Sequence, residues 1–347
     1  MFLAAITLGL CGVVFGLWEF RQARAITAEV ETLKEKRIEL IGHIKDANQE
    51  IDSLRLELDS LRKMAAPAAK PALKKTVFTL EAPAPVGKSA LGLPLSFDNG
   101  SAGKKVVALT FDGSALNSAA DDIFDTLRSR NVRATVFISG EFIRAFPATV
   151  KRIAAEGHET GNHTFSHPHL TGWEQDRVHT TLPSVTASFL CRELSRADSI
   201  YFALTGTHFT PLWRAPYGEK NRAICAWAQE CGYIHVGWRQ GRSWRQGLDS
   251  NDWIADEETP GFHTPEEVLD KFLTLAKAEP DGINGGIILM HLGTVRKNPS
   301  AQVHRILGRL IDELTAQGYG FVTVSEMLRE SEIDTGLLSA SRFTHNQ

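Results

Sequence analysis

The 347-residue chain is 43% hydrophobic and 23% charged, an ordinary globular composition, and is long enough for one sizeable domain with accessory segments. Its net charge of -3 gives no sign of a nucleic-acid partner, which would leave a basic patch or a high isoelectric point. Cys11, Cys191, Cys225 and Cys231 fit neither a zinc ribbon nor a disulfide scaffold. Cys225 and Cys231 would pair only in an oxidising compartment, and buried free thiols are the expectation.

The first 18 residues, MFLAAITLGLCGVVFGLW, carry no charged side chain and no cleavage site follows them. They predict an uncleaved membrane anchor over 1–20, in preference to a secretory signal or a lipid attached at Cys11. Arg21 and Arg24 follow the segment, which by the positive-inside tendency would place the rest of the chain in the cytoplasm. From Val30 the apolar positions Leu33, Leu40, Ile44, Ala47, Ile51, Leu54, Leu58 and Leu61 alternate three and four apart, with only Arg37 polar at such a position. That repeat predicts a coiled-coil stalk over 26–64 and a homodimer through it. An Ala/Pro-rich linker follows over 65–104, holding Pro67, Pro71, Pro83, Pro85 and Pro94.

Residues 105–330 alternate short apolar runs with amphipathic segments, and a tail takes up 331–347. The strand-like runs are VVALTF, ATVFIS, YIHVGW, GGIILMHL and YGFVTV. Helices are expected near 117–130, 141–156, 265–279 and 301–317. This is the pattern of βα units around a parallel sheet, a barrel at this length.

In barrel-like α/β folds, polar groups at the C-terminal ends of strands are the first candidates for chemistry. Asp112 ends the first apolar run, followed at once by Gly113. His163 and His167 stand four apart, a spacing that brings two imidazoles to one zinc if the residues between form a helical turn. Arg214 precedes Pro216 and Tyr217, Asp249 and Asp252 precede Trp253, and His291 ends a strongly apolar strand. Singly, each has an ordinary explanation: Arg214 in a domain-edge ion pair, Asp252 as a helix cap, His291 as a hydrogen-bonded core histidine. Trp173, Trp213, Trp238 and Trp244 read equally as core or as sugar platforms.

As an ordered set they resemble the polysaccharide deacetylase family of NodB-homology hydrolases. Its five motifs, TFDDG, H-[ST]-x-x-H, R-x-P-Y, D-x-x-D-W and L-x-H, appear here as TFDGS, HTFSH, RAPY, DSNDW and LMH. The resemblance covers about 105–330 and implies a distorted (β/α) barrel that removes N- or O-acetyl groups from a polysaccharide with a divalent metal, usually zinc. Carried over residue by residue, His163 and His167 would hold the metal and Asp112 would be the base, kept ionised by Arg214. The Tyr217 amide would bind the oxyanion. Asp252 would orient His291, the acid, while Trp253 and Leu289 would shape the walls.

The departure is Gly113, where the family pattern has a second, metal-binding Asp. Either water supplies the third contact, or Asp112 swings to the metal, or a side chain such as His169 reaches in. The reading is a membrane-anchored, dimeric deacetylase of an envelope or exported polysaccharide, placed outside the inner membrane on function rather than on charge bias. Its rivals are an amidase of small non-sugar amides and a glycan-binding scaffold without turnover.

Overall fold

The computed structural model describes residues 92–336 and 338. The expected anchor and stalk, with most of the linker, lie outside the described residues, as does the tail beyond 336 apart from Leu338. Among the described residues no helix is long and apolar enough to cross a membrane.

The run VVALTFDG becomes the central strand β2 (Val106–Gly113), buried along almost all of its length because neighbours cover both faces. In chain order the others are β1 (Ser96–Phe97), β3 (Thr135–Ile138), β4 (Glu159–Asn162), β5 (Leu212–Trp213), β6 (Ile234–Val236), β7 (Gly286–His291) and β8 (Gly320–Phe321). They pair in the order β1-β6-β5-β4-β3-β2-β7, with β8 beside β2, and every strand pair is parallel. The sheet curls into a distorted half-barrel. The chain after β1 reaches the far edge, where Asn99 bridges Gly286 and Gly100 N–H donates to Gly285 O at 2.7 Å. Within the stretch assigned to the linker from composition, Ser96–Phe97 therefore form a strand of the sheet, and Leu93, Leu95 and Phe97 are buried.

Outer helices cover the sheet. In α1 (Ala120–Ser129) the buried Ala120, Ile123, Phe124 and Leu127 form one stripe, and Asp121 and Asp122 sit in the first turn where the helix dipole favours anions. Burying Phe124 and Leu127 stabilises by about 1.5–3 kcal/mol each. The helix expected over 141–156 is two, α2 (Gly140–Ala145) and α3 (Pro147–Ala155). Pro147 drives Phe146 out of helical geometry, to φ -131°, and itself starts the second helix. After the short α4 (Trp173–Asp176) comes α5 (Ala187–Thr205), a 19-residue helix in a stretch that the sequence left unassigned. The remaining helices are α6 (Arg222–Glu230), α7 (Pro265–Ala276), α8 (Leu307–Ala316) and α9 (Val324–Glu330), with α7 opened by a Thr264–Glu267 capping box.

Cys191 on α5 and Cys231 at the end of α6 form a disulfide, and Cys225 is a buried free thiol. The expectation of free thiols fails for that pair, because α5 packs on α6 and brings together cysteines 40 residues apart. The bridge closes a loop in the unfolded chain, so Cys191→Ser is expected to lower stability by about 2–4 kcal/mol, read as a lower denaturant midpoint. An unchanged midpoint would mean that the bond does not form in the folded protein.

Candidate active site

The parallel register places Asp112 on β2 directly beside His291 on β7. Two groups far apart in sequence thus share one level at the C-terminal rim of the sheet. Arg214, at the end of β5, is completely buried, and its Nη1 donates to Asp112 Oδ1 at 2.8 Å and to Thr110 Oγ1 at 2.9 Å. The rest of the guanidinium is used as well: Nε donates to Val236 O at 3.1 Å and Nη2 to Gly237 O at 3.0 Å. Burial would raise the Asp112 pKa, but the charge of Arg214, with His163, His291 and the Arg214 hydrogen bond, holds it below the usual carboxylate value.

His163 Nδ1 lies 2.9 Å from Arg214 O. A carbonyl only accepts, so Nδ1 carries the proton and the lone pair sits on Nε2, 3.7 Å from Asp112 Oδ2. The His167 ring is 4.8 Å from that of His163, edge to face. Burial, then the neighbouring His163, lowers the pKa of His167 to about 3, so the imidazole is neutral. The pair does meet, but by a different route from the expected helical turn: Thr164 (φ 64°) and His167 (φ 54°) are left-handed, and the segment is a loop.

Asp252 belongs to a segment that runs beside β7 through the Asp249–Leu289 bridge. Its Oδ1 is 2.6 Å from His291 Nδ1, and its Oδ2 accepts from His291 N–H at 2.9 Å. Burial alone would lower the His291 pKa, but the charge and hydrogen bond of Asp252, with Asp112 and Asp249, raise it to about 9. Beside His291 lies a cavity of about 180 Å3 lined by Asp112, Ser114, Ala115, Leu116, Trp253 and Val295 among others. Leu116, Trp253 and Val295 are exposed at its rim, which leaves it open to a large molecule. Leu289 is buried two positions before His291, on the same strand face beneath it.

Tyr217 follows Pro216 in a single tight turn, with φ 57° and a half-exposed side chain. Its ring packs against His167 at 4.6 Å, edge to face, and stacks on His169 at 3.9 Å. His169 is engaged elsewhere: its Nδ1 is 2.9 Å from Glu219 Oε1, its Nε2 is 3.7 Å from Glu174 Oε2, and its ring stacks on Tyr217. Of the four tryptophans named from sequence, Trp213 is core, Trp173 stacks on His179 and Trp244 on His263. Trp238 packs against Gly218 and the Arg214 guanidinium. Sequence reasoning missed Thr110, Glu193 and Glu219; the position of Glu219, two residues after Tyr217, was the available signal.

Two neutral imidazoles with a carboxylate beside them are donor types that suit a divalent cation. A set of three His, Cys, Asp or Glu side chains converging as ligands is absent among the described residues. Gly113 has no side chain to add to them. A β-carbon there would meet Leu292 Cδ1 at 3.1 Å, and Ile138 Cγ2 and Phe142 Cδ2 at 3.2 Å each.

Residues 99–236 match the polysaccharide deacetylase family. A peptidoglycan-N-acetylglucosamine deacetylase of Bacillus cereus is 31% identical over 226 residues, which cover 65% of this chain and 89% of that protein. Peptidoglycan-N-acetylmuramic acid deacetylase PdaA of Bacillus subtilis is 26% identical over 238 residues, 69% of this chain and 77% of its own length. Among solved structures, the Bc1960 peptidoglycan N-acetylglucosamine deacetylase in complex with 4-naphthalen-1-yl-N-oxidanyl-benzamide superposes with a TM-score of 0.54 at 27% identity. That superposition covers 70% of this chain and 94% of the other.

Because three apolar side chains crowd position 113, Gly113→Asp is expected to destabilise the fold by about 1–3 kcal/mol without tightening zinc binding. Denaturant midpoints and a zinc competition titration check this. Tenfold tighter zinc at unchanged stability would show that the glycine simply vacates a ligand position.

Proposed function

Because this chain belongs to the polysaccharide deacetylase family, we propose that it is a metal-dependent hydrolase removing acetyl groups from an acetylated envelope polysaccharide of the peptidoglycan class. The observation that carries the reading is the convergence of an ionised Asp112 and a protonated His291, side by side on adjacent strands, with the lone pair of His163 facing the same point. The names of the relatives support an N-acetylated sugar polymer as substrate. The small, open-rimmed cavity supports it too, since it suits one substituent of a large molecule better than a free small amide.

In this reading Asp112 takes a proton from the attacking water, and Arg214 keeps it charged and aimed. A divalent cation, zinc by the chemistry of its ligands, would be held by His163 and His167 and would polarise the acetyl carbonyl and acidify the water. The Tyr217 amide faces the developing oxyanion. His291, charged and oriented by Asp252, gives its proton to the leaving nitrogen. Trp253 walls the acetyl side, and Leu289 supports His291 from below.

The N-terminal segments complete the proposal: an anchor over 1–20, a dimerising stalk over 26–64 and a spacer hold the enzyme at a polymer outside the cytoplasmic membrane. The Cys191–Cys231 disulfide favours such an oxidising compartment.

The test is acetate release from N-acetylated peptidoglycan by the full-length protein. Asp112→Asn is expected to cut turnover about 10²–10⁴-fold while zinc stays bound. Turnover at the wild-type rate would remove Asp112 from the mechanism, and no turnover in the zinc-loaded wild type would leave the glycan-binding scaffold as the better reading. The pH profile supplies a second check. A raised pKa keeps His291 protonated until the pH passes about 9, so the alkaline limb should fall there. Asp252→Asn removes the main raising influence while burial still lowers the pKa, so the limb should move down by more than about one pH unit. A limb that stays in place would assign the acid to another group.

A further inference from the structure

The loop from His163 to Thr171 carries both imidazoles but is neither helix nor strand, and Thr164 and His167 hold left-handed backbone angles. Such a loop keeps its shape only where surrounding groups over-determine it. The amides of Phe165, Ser166, Leu170 and Thr171 donate to two carboxylates. On one side of His167, Glu193 Oε2 accepts from Phe165 N at 3.0 Å, Ser166 N at 2.7 Å and Ser166 Oγ at 3.1 Å. On the other side, Glu219 Oε2 accepts from Leu170 N at 2.7 Å and Thr171 N at 2.8 Å, while its Oε1 is 2.9 Å from His169 Nδ1. Glu219 is completely buried, and Glu193 comes from a different element, α5.

We propose that Glu193 and Glu219 are positioning residues that set the aim of the His163–His167 pair, and that Glu219 also locks this pair to Tyr217. The proposal rests on the deacetylase reading of the same site. A carboxylate suits the task because it only accepts, and one oxygen can take two or three N–H and O–H groups. Glu219 stands two residues after Tyr217, and its partner His169 stacks on the Tyr217 ring while His167 packs against that ring's edge. One buried acid therefore ties the histidine loop to the turn beyond β5. With no third side-chain ligand, the fixed geometry of two imidazoles is what remains to give the site affinity, so the groups orienting them should matter more than in a fully ligated centre.

The experiment uses the full-length protein and zinc alone, with affinity read by chelator competition and loop stability by segment-resolved hydrogen exchange. Glu219→Ala and Glu193→Ala are expected to weaken zinc binding about 10–100-fold and to speed exchange over 163–171. Glu219→Gln and Glu193→Gln keep an oxygen for the loop amides and should return affinity to within about threefold of wild type, because geometry is restored even though charge is not. Glu159→Ala is the control for mere destabilisation. Glu159 accepts from Thr135 Oγ1 and Ser325 N at the opposite end of β4, so its loss should lower thermal stability without moving zinc affinity. Wild-type affinity in both alanine variants, or an equal loss in the Glu159 control, overturns the proposal. If the wild type binds no zinc, the metal reading itself fails, and exchange then decides: faster exchange confined to 163–171 upholds the positioning role, and unchanged exchange ends it.

Discussion

A buried guanidinium organises this half-barrel. Arg214 has no exposed surface, and an unpaired charge there would cost several kcal/mol, so the elements around it must supply acceptors. They do so from three directions: Thr110 and Asp112 on β2, the Val236 carbonyl of β6, and the Gly237 carbonyl beyond it. The group also lies over the Phe137 ring of β3 at 4.3 Å. The carbonyl of the same residue accepts the hydrogen bond of His163 Nδ1–H and thereby fixes which imidazole nitrogen is free. Lysine could not replace it, since a single ammonium lacks the planar fork that reaches two strands at once.

That constraint sets one side of a contrast in proton affinity, and Asp252 sets the other. Asp112 and His291 occupy the same level of adjacent strands, yet their proton affinities are pushed in opposite directions. The arginine lowers that of Asp112, and Asp252 raises that of His291. Pairs of titratable groups driven apart by their surroundings are the arrangement that acid–base hydrolysis requires at neutral pH. Burial keeps His163 and His167 neutral, helped at His163 by the charge of Arg214 and at His167 by the neighbouring His163. The same region thus holds the guanidinium of Arg214, the carboxylates of Asp112 and Asp252, the retained proton of His291 and two imidazole lone pairs.

Much of this was legible in sequence because the ends of apolar runs mark the rim of a parallel sheet. Asp112, Arg214 and His291 all follow such runs, and their order gave the family before any geometry was known. Register was not legible: nothing local says that Asp112 pairs with His291 rather than with a neighbour two residues away. The helical turn expected between His163 and His167 had a contrary sign in the sequence, since Pro168 disfavours right-handed helix at the residue before it. The 19-residue α5 was legible in principle but went unassigned: its buried positions, Leu190, Leu194, Ala197 and Tyr201, alternate four and three apart. The disulfide escaped with it, since the Cys191–Cys231 pairing depends on where that helix docks.

Gly113 shows how a motif can lose a ligand without the position falling idle. Its carbonyl accepts from Ser139 N–H at 3.0 Å, and the space where a β-carbon would stand is walled by Leu292, Ile138 and Phe142. Leu292 follows His291, and its amide donates to Asp112 O at 2.9 Å, so the apolar wall and the acid–base pair belong to one continuous ladder. A β-carbon there would press on these side chains, which would have to give by a few tenths of an ångström. The glycine therefore leaves the packing between β2, β3 and β7 undisturbed at the level where Asp112 and His291 meet.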